Sequence, residues 1–337
     1  MLMDIMGLAG QQYTDDNKDI FYVFSPFSIG DFLIAGGLCH ALLKKKQKKN
    51  CVLIWNDKYA NSGSITFPSV TRVLYIPELI RECIRKYVFT FQIFETDDYI
   101  YGHFHTLQNV RLCNSPNVWN PNLSFVNNYK ENVLGLPLET ELIPPLIEPP
   151  TDAQKQRLHD DYLLDKKRTI ILAPYANTYA NLEEAFWEKL ASELISKGYV
   201  LYTNVSNPCE KVIAGTVPMT TTFQELVYLA EKVNCFIGMR SGIFDLLAFT
   251  NARLLYIINS INCWHDDLKL NYNHLNSRVF YTLNAQEVET LKAFMQRNNL
   301  SSVDNLALSD KVVCRDLALN YEHLLDKILS AVEEEGT

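Results

Sequence analysis

The second half of the sequence alternates short apolar runs with stretches of helical periodicity, and this alternation limits the possible folds more than any other feature. The predicted strands are 168–173, 199–204, 235–238 and 253–258, and the predicted helices are 185–197, 222–232, 243–249 and 316–332. Strands separated by helices form parallel sheets with helices on both faces. We therefore expect a doubly wound α/β domain that ends in a closing helix.

The first half follows the same pattern less regularly. Its predicted strands are 21–24, 51–55 and 71–76, and its predicted helices are 32–45 and 78–87. Five of the 13 prolines then fall at 137, 144, 145, 149 and 150, followed by the polar stretch 151–161. Proline fixes φ and removes a hydrogen-bond donor, so we expect an extended connector here. The predicted domains are 1–150 and 151–337, two Rossmann-like units facing each other across a cleft.

Length and composition support two domains and exclude several classes of protein. A chain of 337 residues exceeds the roughly 250–300 residues of a single hydrophobic core. The net charge of −8 argues against a nucleic-acid binder, whose affinity comes mainly from phosphate neutralisation. None of the eight cysteines forms a CxxC pair, which excludes a zinc ribbon and favours a reducing, cytoplasmic compartment.

The apolar stretch 21–43 has the length of a membrane anchor. It contains one charged residue, Asp31, which costs about 2.5–3.5 kcal/mol at the centre of a span. Glycine and proline also interrupt it, so the sequence favours a buried strand, a turn at 28–31 and a helix from residue 32.

A run of lysines follows this predicted helix: Lys44, Lys45, Lys46, Lys48 and Lys49. Cations are favourable at a helix carboxyl end, which makes a solvated helix end one interpretation. The other is peripheral contact with anionic lipid at the inner membrane face, at about 1 kcal/mol per cation.

Three motifs in order resemble the heptosyltransferase-like family of GT-B glycosyltransferases (glycosyltransferase family 9-like). The first is Ser25-Pro26-Phe27-Ser28-Ile29-Gly30-Asp31, before an apolar helix. The second is Ile171-Leu172-Ala173-Pro174-Tyr175-Ala176, followed by a helix that contains Phe186-Trp187. The third is the segment 236–248, which looks like the donor-binding turn of the family. The resemblance implies a GT-B fold and a nucleotide-diphosphate sugar as donor substrate, with no further cofactor.

By this resemblance, Asp31 is the candidate general base. Sugar transfer to a hydroxyl needs a group that takes the acceptor proton. The alternative role for Asp31 is an N-cap that accepts hydrogen bonds from the free N–H groups of the following helix.

The turn formed by Arg240, Ser241 and Gly242 is the candidate diphosphate site. Backbone N–H groups at a helix start favour phosphate, glycine permits close approach, and arginine can bind phosphate with two hydrogen bonds. The alternative role for Arg240 is a salt bridge to Asp245 or to a carboxylate of the linker. The family usually has an acidic residue where Arg240 stands and a histidine where Asp245 stands, so the sugar cannot be carried over as heptose.

Further candidate donor-binding residues are Asp245, in the helix after this turn, and residues of two other segments. Pro174, Tyr175, Asn177 and Thr178 follow the strand 168–173, and Tyr179 and Asn181 belong to the same loop. An equally good interpretation is ordinary loop chemistry with a helix cap at Asn181. Glu225 is a candidate ribose ligand or else lies on a solvated helix face, and Trp187 is interpreted as packing.

His103 and His105 alternate along an extended segment and so face the same way. His103 is the alternative base or an acceptor-binding residue, unless its role is structural. No convincing third ligand accompanies the pair, and the amino-terminal half has no Asp-X-Asp at a strand end. We therefore expect a reaction that needs no metal.

The sequence thus predicts an inverting glycosyltransferase. Its partners would be a nucleotide sugar and a bacterial surface glycan or lipid-linked precursor as acceptor, not a nucleic acid. The alternatives are a nucleotide-sugar 2-epimerase and a non-catalytic nucleotide-sugar-binding subunit.

Overall fold

The chain divides into two compact units. Among the described residues, those up to Pro149 belong to the first unit and those from Pro150 onward belong to the second. The structure is a computed structural model. It describes residues 19–24, 29–56, 65–77, 94–95, 99–101, 125–176, 181–206, 209–258, 277–282, 307–308, 312–313, 317–318 and 320–334.

The first unit contains a mostly parallel sheet. Its elements are β1 (Ile20–Phe24), α1 (Ile29–Lys46), β2 (Asn50–Asn56), β3 (Ile65–Thr66), β4 (Val70–Ile76), β5 (Phe94–Glu95), β6 (Tyr99–Tyr101), α2 (Phe125–Asn128), a π-helical turn (Tyr129–Val133) and β7 (Leu146–Ile147). The sheet order is β4-β2-β1-β6-β5, and only β5 runs antiparallel to its neighbour. From β1 the chain moves outward to β2 and β4 and then crosses to β6, so its direction of winding changes between β1 and β6.

Helix α1 is buried on nearly all sides. Twelve of its 18 residues are buried, and its last turn carries three lysines. Gly36 and Gly37 permit close packing, because a Cβ at Gly36 would collide with the ring of Phe67 and one at Gly37 would lie 2.7 Å from the Ile143 carbonyl oxygen. The predicted turn at 28–31 is wrong for residues 29–31, which form the first helical turn.

The second unit is a doubly wound parallel sheet. Its elements are α3 (Asp152–Asp161), β8 (Thr169–Ala173), α4 (Glu184–Ser196), β9 (Val200–Asn204), β10 (Val217–Met219), α5 (Phe223–Leu229), β11 (Cys235–Met239), α6 (Gly242–Leu247), β12 (Leu254–Ile258), β13 (Ser277–Thr282), β14 (Ala307–Leu308), β15 (Val312–Val313), β16 (Leu317–Ala318) and α7 (Tyr321–Glu333). The seven-stranded order is β10-β9-β8-β11-β12-β13-β16, and β14 and β15 form a separate two-stranded sheet. From β8 the chain moves to β9 and β10, then returns to β11 on the other side of β8. The winding therefore reverses between β8 and β11.

A continuous core fills this second unit. Strands β8, β11 and β12 are buried along their whole length, which explains their unbroken apolar sequences. Trp187 of α4 is 1% exposed and lies in the core cluster, so the packing interpretation of this residue is confirmed. Closing helix α7 adds a row of apolar side chains to the same cluster.

The predicted extended connector at 151–161 is wrong, because residues 152–161 form helix α3. The reason is local: Thr151 and Gln154 form a capping box, with the Gln154 N–H donating to Thr151 Oγ1 and the Thr151 N–H to Gln154 Oε1. No proline follows Pro150 in this segment. The predicted helix at 78–87 lies outside the described residues, and α7 begins at Tyr321 rather than residue 316.

Within the described part of the chain, no helix combines the length and the apolar character needed to cross a bilayer.

Candidate functional site

The carboxyl ends of β8 and β11 meet at the point where the winding of the second unit reverses. Ala173 lies opposite Gly238 in the register of the two parallel strands. The chain leaves the sheet at Pro174 after β8 and at Arg240 after β11, and these two exit points therefore lie next to each other. Open α/β sheets bind their ligands outside the carboxyl ends of the strands at such a switch point.

Gly238 lets β8, β11 and the following helix approach one another closely. A Cβ at Gly238 would clash with the carbonyl oxygen of Ala173, and it would lie 2.8 Å from Cε2 of Phe244. A backbone neighbour cannot move aside as a flexible side chain can. The glycine of the third sequence motif thus fixes the spacing of the two strand ends.

Arg240 and Asp245 form an ion pair directly after β11. The Nη2 atom of Arg240 lies 3.6 Å from Oδ1 of Asp245, and the two side chains are only 11% and 8% exposed. The salt bridge to Asp245, which was the alternative role predicted for Arg240, is therefore present. A guanidinium group has five N–H donors and binds carboxylate and phosphate oxygens alike.

Ser241 and Gly242 complete the turn. Ser241 is the N-cap residue of α6, yet its hydroxyl makes no capping hydrogen bond. Ser241 Oγ is buried and has no hydrogen-bonding partner among the residues that the structure describes. Buried hydroxyls normally have a partner, so an oxygen of a ligand at this turn would complete the bonding of Ser241.

The loop after β8 begins with Pro174 and Tyr175. The hydroxyl of Tyr175 donates to the carbonyl oxygen of Lys211 at 2.8 Å, and partial burial raises the pKa of this phenol. Asn181 accepts a hydrogen bond from the Ala176 N–H at 2.8 Å and closes the loop. The predicted cap at Asn181 is wrong, because the N-cap residue of α4 is Glu183. Asn177, Thr178 and Tyr179 lie outside the described residues.

Glu225 is buried, and its carboxylate forms hydrogen bonds within the protein. It is 2% exposed, which contradicts the interpretation as a solvated helix face. Its Oε1 accepts a hydrogen bond from Arg157 Nη2 at 2.7 Å, and its Oε2 accepts one from the Thr222 N–H at 2.8 Å. The carboxylate thus joins α3 to α5, and each of its two oxygens already accepts a hydrogen bond from the protein. Arg157 and Glu225 are 68 residues apart in the sequence, so no local sequence pattern predicts their contact.

Asp31 occupies the corresponding place in the first unit. It lies in the first turn of α1, after β1, next to the switch between β1 and β6. Its carboxylate is buried, with the residue 4% exposed. Because the helix begins at Ile29, the N-cap role predicted as the alternative is wrong, although an acidic group in the first turn still complements the helix dipole. His103 and His105 lie outside the described residues.

The lysine run lies at the carboxyl end of α1 and in the residues after it. Lys45 Nζ donates to the Leu134 carbonyl oxygen at 2.8 Å. Lys49 Nζ lies 2.8 Å from Asp19 Oδ2, and this pair is 77% and 55% exposed. Lys45 and Lys49 are therefore engaged with the first unit itself.

The described residues contain no group of three or more His, Cys, Asp or Glu side chains placed to hold a metal ion.

No protein-family model matches the sequence, and no curated protein matches it. Solved structures do match the fold. A glycosyltransferase family 9 protein from Veillonella parvula has 12% identity and a TM-score of 0.57 over 94% of this chain and 98% of its own. The ADP-heptose lipopolysaccharide heptosyltransferase II of E. coli has 14% identity and a TM-score of 0.53 over 95% and 100%. The dodecameric heptosyltransferase TibC, solved with ADP-D-β-D-heptose, has 10% identity and a TM-score of 0.51 over 95% and 77%.

This likeness confirms the predicted fold class, α/β with two Rossmann-like units of the GT-B type. At 10–14% identity the likeness concerns the fold, and a fold alone does not determine a function.

Proposed function

We propose that the protein is a glycosyltransferase that uses a nucleotide-diphosphate sugar as donor. The observation that carries this proposal is the position of Arg240 and Ser241 at the switch point of the second unit. There a guanidinium group and a buried hydroxyl follow β11 beside the end of β8. Both groups can donate hydrogen bonds to the oxygens of a diphosphate.

The chemistry that these residues support is direct displacement at the anomeric carbon. The acceptor oxygen forms a bond to that carbon while the bond to the diphosphate oxygen breaks, which inverts the configuration. Asp31 takes the proton of the acceptor hydroxyl, and Arg240 and Ser241 stabilise the negative charge that develops on the departing diphosphate. Arg240 supplies the positive charge at the leaving group, so this route needs no metal ion.

The acceptor is proposed to be a bacterial surface glycan or its lipid-linked precursor. The name of the E. coli neighbour refers to lipopolysaccharide. A lipid-linked acceptor also suits peripheral attachment at the inner membrane face through the lysine run Lys44, Lys45, Lys46, Lys48 and Lys49. This attachment is testable: a variant with all five lysines replaced by glutamine should lose binding to anionic vesicles, and unchanged co-sedimentation would contradict it.

Donor binding is tested with a pair of variants that separates the phosphate role of Arg240 from its ion pair. In Asp245→Asn the ion pair is lost but Arg240 remains. In the double variant R240Q/D245N both charges are removed and the net charge of the pair is unchanged. A nucleoside diphosphate at 100 times its Kd stabilises a protein by about 2.7 kcal/mol, which a thermal-shift screen detects. We expect the stabilisation in wild type and D245N and its loss in the double variant.

The base is tested separately with Asp31→Asn. We expect transfer to fall by about 10²–10⁴-fold, the usual contribution of a general base, while donor binding stays unchanged. Undiminished transfer by D31N would overturn the role of Asp31. Conversion of the donor without an acceptor would show a 2-epimerase instead.

The Arg240–Asp245 ion pair favours one second candidate, a non-catalytic nucleotide-sugar-binding subunit, because it ties up part of the guanidinium. Donor binding that requires Arg240, without transfer to any member of an acceptor panel, would support that candidate.

A further inference from the structure

The second unit has a cavity at the amino ends of its parallel strands, on the opposite side of the sheet from the strand ends that form the candidate donor site. The cavity has a volume of about 500 Å³, and its wall is formed by residues 166–168, residues 197–199 and Asn234. These segments lie immediately before β8, β9 and β11. Because the three strands are parallel, the cavity lies at their amino ends, whereas Pro174 and Arg240 follow their carboxyl ends.

The wall of this cavity is rich in positive charge although the protein as a whole is acidic. Lys166, Lys167 and Arg168 are consecutive, and none of them forms an ion pair with any residue that the structure describes. Arg168 Nε donates to the carbonyl oxygen of Gly198 at 3.3 Å. This bond holds the guanidinium at the cavity and leaves its two Nη nitrogens for another acceptor.

Carboxylates near the cavity do not cancel this charge. Lys197 Nζ is paired with Glu333 Oε1 at 2.6 Å, so these two charges balance. Asp165 Oδ1 accepts the backbone N–H of Lys167 at 2.7 Å. Four cations in the wall and the two carboxylates bonded to it leave an excess of two positive charges.

The remaining wall is fixed in place. The Asn234 amide donates to the carbonyl oxygen of Lys167 at 3.2 Å and accepts from Arg253 Nη1 at 3.3 Å, so it ties the 166–168 segment to the start of β11 and β12. Tyr199 adds a half-buried ring, and partial burial raises the pKa of its phenol. The phenol therefore stays protonated at neutral pH and can donate a hydrogen bond.

We propose that this cavity binds a phosphate-bearing anion, with Lys166, Lys167 and Arg168 as the residues that contact the phosphate. The volume falls within the range of about 300–1,000 Å³ that is usual for small-molecule sites and exceeds what a lone phosphate fills. The apolar ring of Tyr199 beside the cations suits a phosphate that is attached to a larger group. The site does not depend on the proposed transferase activity, since no residue is shared with it.

The test is isothermal calorimetry of the full chain with inorganic pyrophosphate. The triple variant K166Q/K167Q/R168Q removes the three cations from exposed positions, and K155Q/K189Q/K232Q is the control because it removes three lysines of the same unit outside the cavity. The R240Q/D245N variant removes any pyrophosphate binding at the donor site. In that background we expect the cavity variant to weaken binding at least tenfold and the control to leave it unchanged. Binding should also weaken as ionic strength rises past about 0.1 M, where the Debye length is about 10 Å.

A second arm distinguishes a soluble phosphate from a lipid headgroup. Co-sedimentation with vesicles of anionic phospholipid, compared with neutral vesicles, is measured for the same variants. Loss of vesicle binding in the cavity variant alone, without pyrophosphate binding, identifies a lipid headgroup as the phosphate. If neither probe binds, or if the cavity and control variants lose binding equally, the site does not exist.

Discussion

The contact between Arg157 and Glu225 provides a sharp test of how the second unit is held together. The two side chains meet at 2.7 Å, but their surroundings differ: Glu225 is 3% exposed and Arg157 is 42% exposed. Replacing Arg157 with methionine leaves a buried carboxylate that keeps only the hydrogen bond from the Thr222 N–H. Replacing Glu225 with glutamine instead leaves an arginine that water can reach.

The size of the effect follows from this asymmetry. Removing one partner of a fully buried ion pair costs about 3–5 kcal/mol. Solvent at Arg157 and the retained bond at Glu225 reduce this figure, so for Arg157→Met we expect a loss of about 2 kcal/mol in the free energy of unfolding. For a domain of this size that corresponds to a decrease in Tm of about 4–8 °C.

The assay is a double-mutant cycle measured by chemical denaturation. Glutamine retains an oxygen that can accept the Thr222 N–H, so Glu225→Gln preserves the cap of α5. In the double variant R157M/E225Q the unpaired charge is absent, and we expect it to be more stable than R157M, with a coupling energy of about 1–2 kcal/mol. Lys189→Met is the matched control, because the Lys189–Glu322 pair is 49% and 71% exposed and is worth less than about 1 kcal/mol.

Equal destabilisation by R157M and K189M would refute this reasoning. The same conclusion would follow if the double variant were less stable than R157M by the full cost of E225Q alone, because the two residues would then act independently.

Further predictions concern packing, thiol reactivity and pH. Gly238→Ala should destabilise the protein by about 1–3 kcal/mol because its Cβ meets the backbone of Ala173, and denaturation should show a larger loss than for Gly198→Ala, where strain at φ +88° is the only cost. Among the described cysteines, exposed Cys209 should react with a thiol reagent, while Cys39, whose pKa is raised by the Cys51 hydrogen bond and by burial, should not; labelling counts of C209S and C39S check this. Burial lowers the pKa of Lys130, so the stability of wild type relative to Lys130→Met should increase as pH rises towards 10.5 and level off above it, whereas a decrease over that interval would contradict the assignment.

Four strands of the second unit, β8, β9, β11 and β12, could be predicted from sequence because each is a short apolar run, whereas β10 and β13–β16 were not predicted. The predictions for β8, β9, β11 and β12 agree with the structure within one residue at each end. Full burial on both faces makes such runs unbroken, so the pattern reports the fold directly.

Helix α3 was predicted wrongly for a physical reason. Only Leu158 of this helix is buried, so there is no apolar periodicity to read. The helix depends instead on the capping box at Thr151 and on the long-range contact between Arg157 and Glu225. The first can be found in a sequence, but the second needs the fold.

The candidate site was predictable where its contacts are local. Arg240 and Asp245 are five residues apart, and their pairing follows from the strand–turn–helix pattern. The buried position of Asp31 inside the first turn of α1 was not predictable, because the sequence gives helix starts only to within a few residues.

The central claim is that a diphosphate binds at the carboxyl ends of β8 and β11. A crystal structure of the protein with the nucleoside diphosphate selected by the thermal-shift screen tests it most directly. We predict density for the diphosphate within hydrogen-bonding distance of Ser241 Oγ and the Arg240 guanidinium. Diphosphate density found only elsewhere, for instance against Lys166–Arg168 at the amino ends of the strands, would contradict the claim.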